Sequence, residues 1–368
     1  MKNVVLVLPT YNESGNIEEV IEKIILITKE LKNWDMKILV VDSSSPDGTG
    51  KIVKDLQKKY SNLYLLETGK KGLGKAYIEG YQYAFKNLNP YLFFQMDADL
   101  SHDPKEIPEL LKKIEKGADI AIGSRYIKGG SIPANWGIHR KIFSSVGNVV
   151  VRLGFMNFKV KDWTGGYRAI KSWVIKNIES KIKNYSGYVF QIAVIDNALK
   201  NNAIIKESPI HFKDRKKGIS KINSFQYIFD IFLYIFLNSS FVKYLIVGTS
   251  AFIIDFGLAS LFVNKLKMTV LWGNTLSMEI AIFYNFILSN FWSFAHKKLN
   301  STFISYFLGF LKFNLSSFGG MLIQLVGIAV LGTFFGKQYW QIYKILLIAF
   351  AVIPYSYFVY NKFIWKKK

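Results

Sequence analysis

Short apolar runs alternate with segments of helical spacing through the first half of the chain. Residues 4–8 are continuously apolar and are closed by Pro9, and residues 17–31 repeat apolar side chains at helical spacing. The alternation continues with a strand over 37–41 ending at Asp42, a helix over 50–59 and a strand over 63–67. It goes on with a helix over 75–85, a strand over 91–96 ending at Asp97, a helix over 105–116 and a strand over 120–123. Strands separated by helices predict right-handed crossovers and a mostly parallel α/β sheet. Ligands bind such sheets at the carboxyl ends of the strands. A helix over 139–153 gathers Ile142, Phe143, Val146, Val149, Val150 and Leu153 on one side. It suits an interfacial amphipathic helix or one packed on the core. The second half differs in kind: apolar runs fill 242–263, 271–294, 313–335 and 342–363. Each has about the ~20 residues that a helix needs to cross ~30 Å of hydrocarbon.

Charge sharpens this division. The 368 residues hold 48 Lys+Arg against 26 Asp+Glu, a net +22, yet half are hydrophobic. Residues 225–368 carry only 12 Lys and three acids, Asp230, Asp255 and Glu279, which argues against four buried helices of a soluble domain. Three regions are expected: a catalytic unit over 1–224, an amphipathic segment over 225–240 and a four-helix transmembrane unit over 241–368. Lys297 and Lys298 follow the second run and Lys362, Lys366, Lys367 and Lys368 close the chain, while fewer cations follow the first and third. The positive-inside rule then puts both termini in the cytoplasm. Met1 leads straight into a strand, so no signal peptide is expected. The lack of cysteine excludes disulfides, thiolate metal sites and a thiol nucleophile. A basic excess suits nucleic acid or an anionic membrane; cations bordering apolar spans favour the membrane.

The polar motifs fall at strand ends. Pro9-Thr10-Tyr11-Asn12-Glu13 follows the first strand, and Tyr11 offers a ring for stacking and Glu13 an acceptor. Asp42 opens a polar turn through Thr49, where an acid can accept from a base or ribose. Asp97-Ala98-Asp99 leaves the apolar run 91–96 with two carboxylates. Hard cations such as Mg²⁺ or Mn²⁺ prefer such oxygens and share their coordination with substrate phosphates. The basic glycine-rich stretch 69–76 precedes a helix, as phosphate binding favours, but lacks the Gly-Lys-Ser/Thr of a P-loop. Arg125, Arg140 and Lys141 follow, and a basic loop over 215–221 stands before the apolar half.

Pro-Thr-Tyr-Asn-Glu, the Asp42 turn, Gly72-Leu73-Gly74, Met-Asp-Ala-Asp-Leu-Ser-His, Gly123-Ser124-Arg125-Tyr126 and Arg215-x-x-Gly-x-Ser-Lys221 together resemble the polyprenyl-phosphate (dolichol-phosphate) mannose synthases of glycosyltransferase family 2. Lys243-Tyr244-Leu245-Ile246-Val247-Gly248 and the stretch 285–294 resemble GtrA-like membrane domains. The resemblance implies a Rossmann-like GT-A catalytic domain. It implies that Pro9, Tyr11, Glu13, Val40 and Asp42 hold a nucleoside. Asp97, Ala98 and Asp99 would hold metal and diphosphate, with Ser101 near the metal. Arg125, Arg140 and Lys141 would face phosphates, and Arg215 and Lys221 would close over the donor. The implied reaction moves a hexose, mannose from GDP-mannose foremost, onto a polyprenyl or dolichyl phosphate with inversion. Membrane lipids are the other implied partner, and nucleic acid is not. The chain departs from the family pattern at Ser43, Ser101 and Ala193. Readings with a UDP-sugar donor, or as part of a lipid-linked sugar flippase, remain open alternatives. A processive polysaccharide synthase lacks support, because Gln191 is followed by Ile-Ala-Val-Ile and not by x-x-Arg-Trp. The acceptor needs no protein base, because a phosphate monoester with a second pKa of about 6 is already largely anionic at pH 7. His102 reads as structural.

Overall fold

A computed structural model describes residues 1–214 and 224–365. Two compact units divide the chain, Met1–Tyr234 and Ile235–Lys368. The division falls inside the segment expected to link them. Tyr234 is the reason: its hydroxyl donates to Asp196 at 2.8 Å, which ties the first part of its helix to the first unit.

The first unit carries a seven-stranded sheet in the order β3-β2-β1-β4-β6-β5-β7. Strands β1 (Lys2–Thr10), β2 (Trp34–Asp42), β3 (Leu63–Glu67) and β4 (Leu92–Gln95) run parallel. Their continuous apolar runs suit burial on both faces. Residues 4–8 of β1 and 92–95 of β4 are fully buried, as the layers of a parallel sheet require. The helices α1 (Ile17–Thr28), α2 (Thr49–Gln57), α3 (Leu73–Asn87) and α4 (Ile107–Glu115) connect them where the sequence places them. Strand β5 (Ile120–Ser124) follows, then α5 (Ile138–Gly154).

Four further elements carry no clear sequence pattern: β6 (Arg168–Lys171), α6 (Ser172–Ile182), α7 (Gly187–Lys200) and β7 (Ile205–Pro209). Strand β6 runs antiparallel to both β4 and β5, so the sheet is mixed rather than uniformly parallel. On α5, Ile138, Ile142, Val146, Val149 and Leu153 form a stripe, each 45–76% exposed. Only Asn148 and Val151 of this helix are buried. The helix α8 (Ser224–Asn238) closes the first unit and opens the second.

The second unit is helical. Three segments are long and apolar enough to cross a membrane: Ser240–Lys265, which begins as α9 (Ser240–Ser260), α11 (Phe303–Phe335), and Ile342–Ile364. The last contains most of α12 (Trp340–Leu347) and all of α13 (Ile353–Val359). The fourth expected span is also a helix, α10 (Val270–Leu288), but it falls outside that set. Asn274, Thr275, Ser277, Glu279 and Asn285 interrupt its apolar sequence. Inside the unit, Phe286, Phe294, Phe313, Tyr360 and Trp365 form an aromatic cluster. The Trp365 indole donates to Asn290 at 2.9 Å. Gly309 and Gly327 lie against Phe286 and Leu347, close approaches that small residues permit between membrane helices. Asp255 accepts from Ser277 at 2.6 Å, which joins α9 to α10.

Candidate functional site

The site forms where β1, β2 and β4 end. Thr10 and Asp42 are opposite each other at the last rung of β1 and β2. The loops that follow are stapled by backbone amides donating to side chains. Asn12 N donates to Ser45 Oγ at 2.9 Å, Glu13 N to Thr49 Oγ1 at 3.0 Å and Ser14 N to Asp47 Oδ2 at 2.9 Å. Asn12 and Ser44 take left-handed backbone angles, φ 59° and 56°, which tight polar turns tolerate. Burial works to raise the Asp47 pKa, but hydrogen bonds from Thr49 and the Ser14 amide outweigh it and bring it down to about 2.

Asp42 serves this stapling. It is buried and accepts from Thr10 Oγ1 at 2.9 Å, Ser45 Oγ at 2.6 Å and Ser45 N at 2.9 Å. The resemblance places it on a nucleoside; the structure instead directs its carboxylate into the loop. Val40 is likewise fully buried, in the core cluster of the sheet.

Beyond β4 the chain bends sharply through Asp97-Ala98-Asp99. Leu100 has φ 63°, a strained angle for a bulky residue and one that gathers at functional sites. The bend lets Asp99 Oδ1 accept from Ser101 N at 3.0 Å. His102 locks the other side: its Nδ1 accepts from Asp97 N at 3.1 Å, and its ring stacks on Tyr167 at 4.6 Å. Burial above all lowers the His102 pKa to about 4, against the attraction of Asp99. The ring is therefore neutral and held in place, which is structural work and unsuited to a base.

A cavity of about 620 Å³ opens at this edge. It brings together six of the expected residues: Pro9, Tyr11, Glu13, Asp97, Ala98 and Asp99. Lys70, from the glycine-rich stretch, also lines it, with its ammonium 4.0 Å from the Tyr11 ring centre. Gln191 of α7 and Gln226 and Asp230 of α8 complete the far wall. Gln226 Nε2 donates to Asp230 Oδ1 at 2.7 Å. None of these three had a local sequence signal, because they meet the strand ends only in the fold.

Several expected residues sit elsewhere. Ser101 is buried behind Asp99 and is not part of the cavity wall. Arg125 is buried and clasps Asp162, with Nε–Oδ2 at 2.7 Å and Nη2–Oδ1 at 2.8 Å, and it also donates to Thr164 Oγ1 at 2.9 Å. Thr164 lines the cavity, so Arg125 stands one side chain behind the wall. Arg140 pairs with Asp214 at 3.3 Å and lies over Trp136 at 3.9 Å. Lys141 donates to the Ala134 carbonyl at 2.7 Å. Arg215 and Lys221 lie outside the described residues.

The donor set fits a divalent cation. Asp97 and Asp99 present hard oxygens at the cavity wall, and the Asp97 side chain is 37% exposed. Among the described residues no group of three His, Asp or Glu side chains could hold a metal unaided. A cation here would draw its remaining ligands from substrate phosphates and water, as Mg²⁺ commonly does.

Comparison with known proteins agrees with this geometry. The family model described as Glycosyl transferase family 2 matches residues 5–178, and the model described as GtrA/DPMS, transmembrane domain, matches residues 243–365. The chain is 32% identical over 328 residues to a dolichol-phosphate mannosyltransferase of Pyrococcus furiosus, covering 87% of this chain and 88% of the relative. It is 35% identical over 220 residues to a polyprenol monophosphomannose synthase of Mycolicibacterium smegmatis, covering 59% of this chain and 80% of that one. Among solved structures, mannosyl-3-phosphoglycerate synthase from Rubrobacter xylanophilus superposes with a TM-score of 0.48 at 15% identity, over 64% of this chain and 73% of that one. The chain thus belongs to the dolichol-phosphate mannosyltransferases of glycosyl transferase family 2, enzymes whose GT-A catalytic domain is here joined to a GtrA/DPMS transmembrane domain.

Proposed function

We propose that the enzyme transfers mannose from GDP-mannose to a polyprenyl phosphate at the cytoplasmic membrane face. The observation that carries the reading is the cavity in which Tyr11 and Lys70 face the Asp97-Ala98-Asp99 turn. Tyr11, Pro9 and Glu13 offer a ring, a flat edge and an acceptor for a nucleoside. Asp97 and Asp99 would hold Mg²⁺ or Mn²⁺ against the donor diphosphate. Such a cation stabilises the charge on a departing diphosphate. Lys70 adds a positive charge on the nucleoside side, and Arg125 supplies one behind Thr164.

No protein base is required. The acceptor phosphate is largely a dianion at pH 7, since its second pKa is about 6. The neutral, buried His102 agrees with this. What remains for the chain is to position two phosphates and a sugar, and positioning of this kind accounts for large rate gains.

The exposed stripe on α5 suits contact with the bilayer. The helix carries Arg140, Lys141 and Arg152 and no acid. That composition matches an anionic lipid surface. It would bring the cavity to the depth of a lipid-borne phosphate.

The test is direct. The full chain, reconstituted in membranes, is incubated with polyprenyl phosphate and labelled GDP-mannose, UDP-glucose or a UDP-N-acetylhexosamine. The reading expects labelled lipid from GDP-mannose alone. Labelled lipid only from a UDP-sugar overturns the donor assignment.

A further inference from the structure

Gln191 is an anomaly in the cavity wall. Its side chain is 2% exposed, and neither Nε2 nor Oε1 finds a hydrogen-bond partner among the described residues. Buried amides are ordinarily satisfied, and each orphan of this kind calls for an explanation. The residue is also held firmly. Arg168, itself fully buried, donates from Nη1 to the Gln191 carbonyl at 2.7 Å and from Nη2 to the Trp163 carbonyl at 2.9 Å. The preceding Phe190 stacks on Tyr77 at 5.6 Å with the rings 2° from parallel.

Gly166 fixes where the amide sits. A β-carbon added there would lie 3.4 Å from Gln191 Nε2 and 3.6 Å from Asp97 Oδ1. The amide and the carboxylate therefore flank one backbone position. On the reading given above, Asp97 is at the donor diphosphate. The group joined to that diphosphate is the hexose.

We propose that Gln191 is a specificity-determining residue that hydrogen-bonds a hydroxyl of the donor hexose. This inference rests on the nucleotide-sugar reading of the cavity. The chemistry selects a hydroxyl over a phosphate. A diphosphate offers acceptors only and would satisfy Nε2 while leaving Oε1 bare. A sugar hydroxyl accepts from Nε2 and donates to Oε1, so one hydroxyl or a vicinal pair satisfies both. A wall built this way rejects a sugar that lacks the hydroxyl, because the amide then stays buried and unpaired.

Gln191→Met, an unbranched apolar replacement, tests this in the full chain in nanodiscs. Removing two orphaned polar atoms leaves the thermal midpoint unchanged or raises it. With GDP-mannose, kcat/KM falls about a hundredfold or more, while the inhibition constant of GDP, which lacks the sugar, stays put. Against the four monodeoxy analogues of GDP-mannose, wild type and variant converge for the one that lacks the contacted hydroxyl. A lowered midpoint, or an equal loss for every donor together with weaker GDP binding, makes Gln191 a structural residue and overturns the proposal. A wild type inactive with GDP-mannose refutes the donor assignment instead. In that case the midpoint and the donor that is used judge Gln191 in the same way.

Discussion

Arg125 and Asp162 form a fully matched pair deep in the first unit. Burial alone would raise the Asp162 pKa, but the guanidinium of Arg125 and its hydrogen bonds outweigh that and hold the carboxyl below its usual range. A depressed carboxylate pKa stabilises the fold at pH values above the unfolded pKa, and this is lost as pH falls through the folded one. Asp162 therefore favours the native state at neutral pH and stops doing so in acid. Arg125→Met leaves that carboxylate buried without its counter-charge, which costs about 3–5 kcal/mol. Thermal unfolding of the variant at pH 7 should show a marked fall in midpoint, and Arg125→Met with Asp162→Asn should recover much of it. At this scale the sequence was legible where function is local. Tyr11, Glu13, Asp97 and Asp99 announced themselves as strings after apolar strands. Asp42, Ser101 and Arg125 bore the same kind of signal, yet they are taken up by neighbours such as Asp162 that no local pattern reveals. Gln191 carried an unassigned motif, and only its burial without partners gives it a role.

The elements with strong apolar runs were read easily. β1, β2 and β4 are buried on both faces, so their composition is insistent. β6 and β7 are short, hold Arg168, Lys171, Lys206 and Glu207, and exist because β4 and β5 pair with them. Such strands follow from tertiary pairing and lack a periodicity of their own. The helix α5 was legible as amphipathic, but only the structure shows that its apolar side is turned outward. If that side meets lipid, a fluorophore at Val149 in the reconstituted chain should be quenched by brominated lipids. One at Lys58, at the end of α2, should not be. Equal, weak quenching at both sites would refute bilayer contact by α5. Near α3 the packing is tighter still. A β-carbon on Gly74 would overlap the Tyr185 carbonyl and press on the Phe190 ring. Gly74→Val should displace the start of α3 and with it Lys70. The expected outcome is a raised KM for the donor, by about tenfold, measured against an unchanged protein yield. An unaltered KM would show that this contact does not set the loop.

For the whole molecule, the +22 charge and the half-hydrophobic composition describe different regions. The apolar content lies in the helical unit, and the cations lie in the catalytic unit and at helix ends. The charge asymmetry of the loops predicts which ends face the cytoplasm. The chain has no cysteine, so each introduced one is a unique probe. In sealed vesicles of known orientation, Asn300→Cys should react with a membrane-impermeant thiol reagent from the cytoplasmic side. Lys267→Cys should react from the opposite side. The reverse pattern would invert the topology. What no composition could convey is the convergence of α7 and α8 on the strand ends, since it joins residues far apart in the chain.

The central claim is that sugar transfer proceeds at the Asp97-Ala98-Asp99 turn through a carboxylate-held cation and without a protein base. The most direct measurement is the rate of labelled mannolipid formation by full-length Asp99→Ala in membranes, beside its thermal midpoint. The account predicts a loss of about a thousandfold or more, the several kcal/mol that such a cation supplies, with the midpoint little changed. A folded Asp99→Ala enzyme that forms the lipid at the wild-type rate would contradict it.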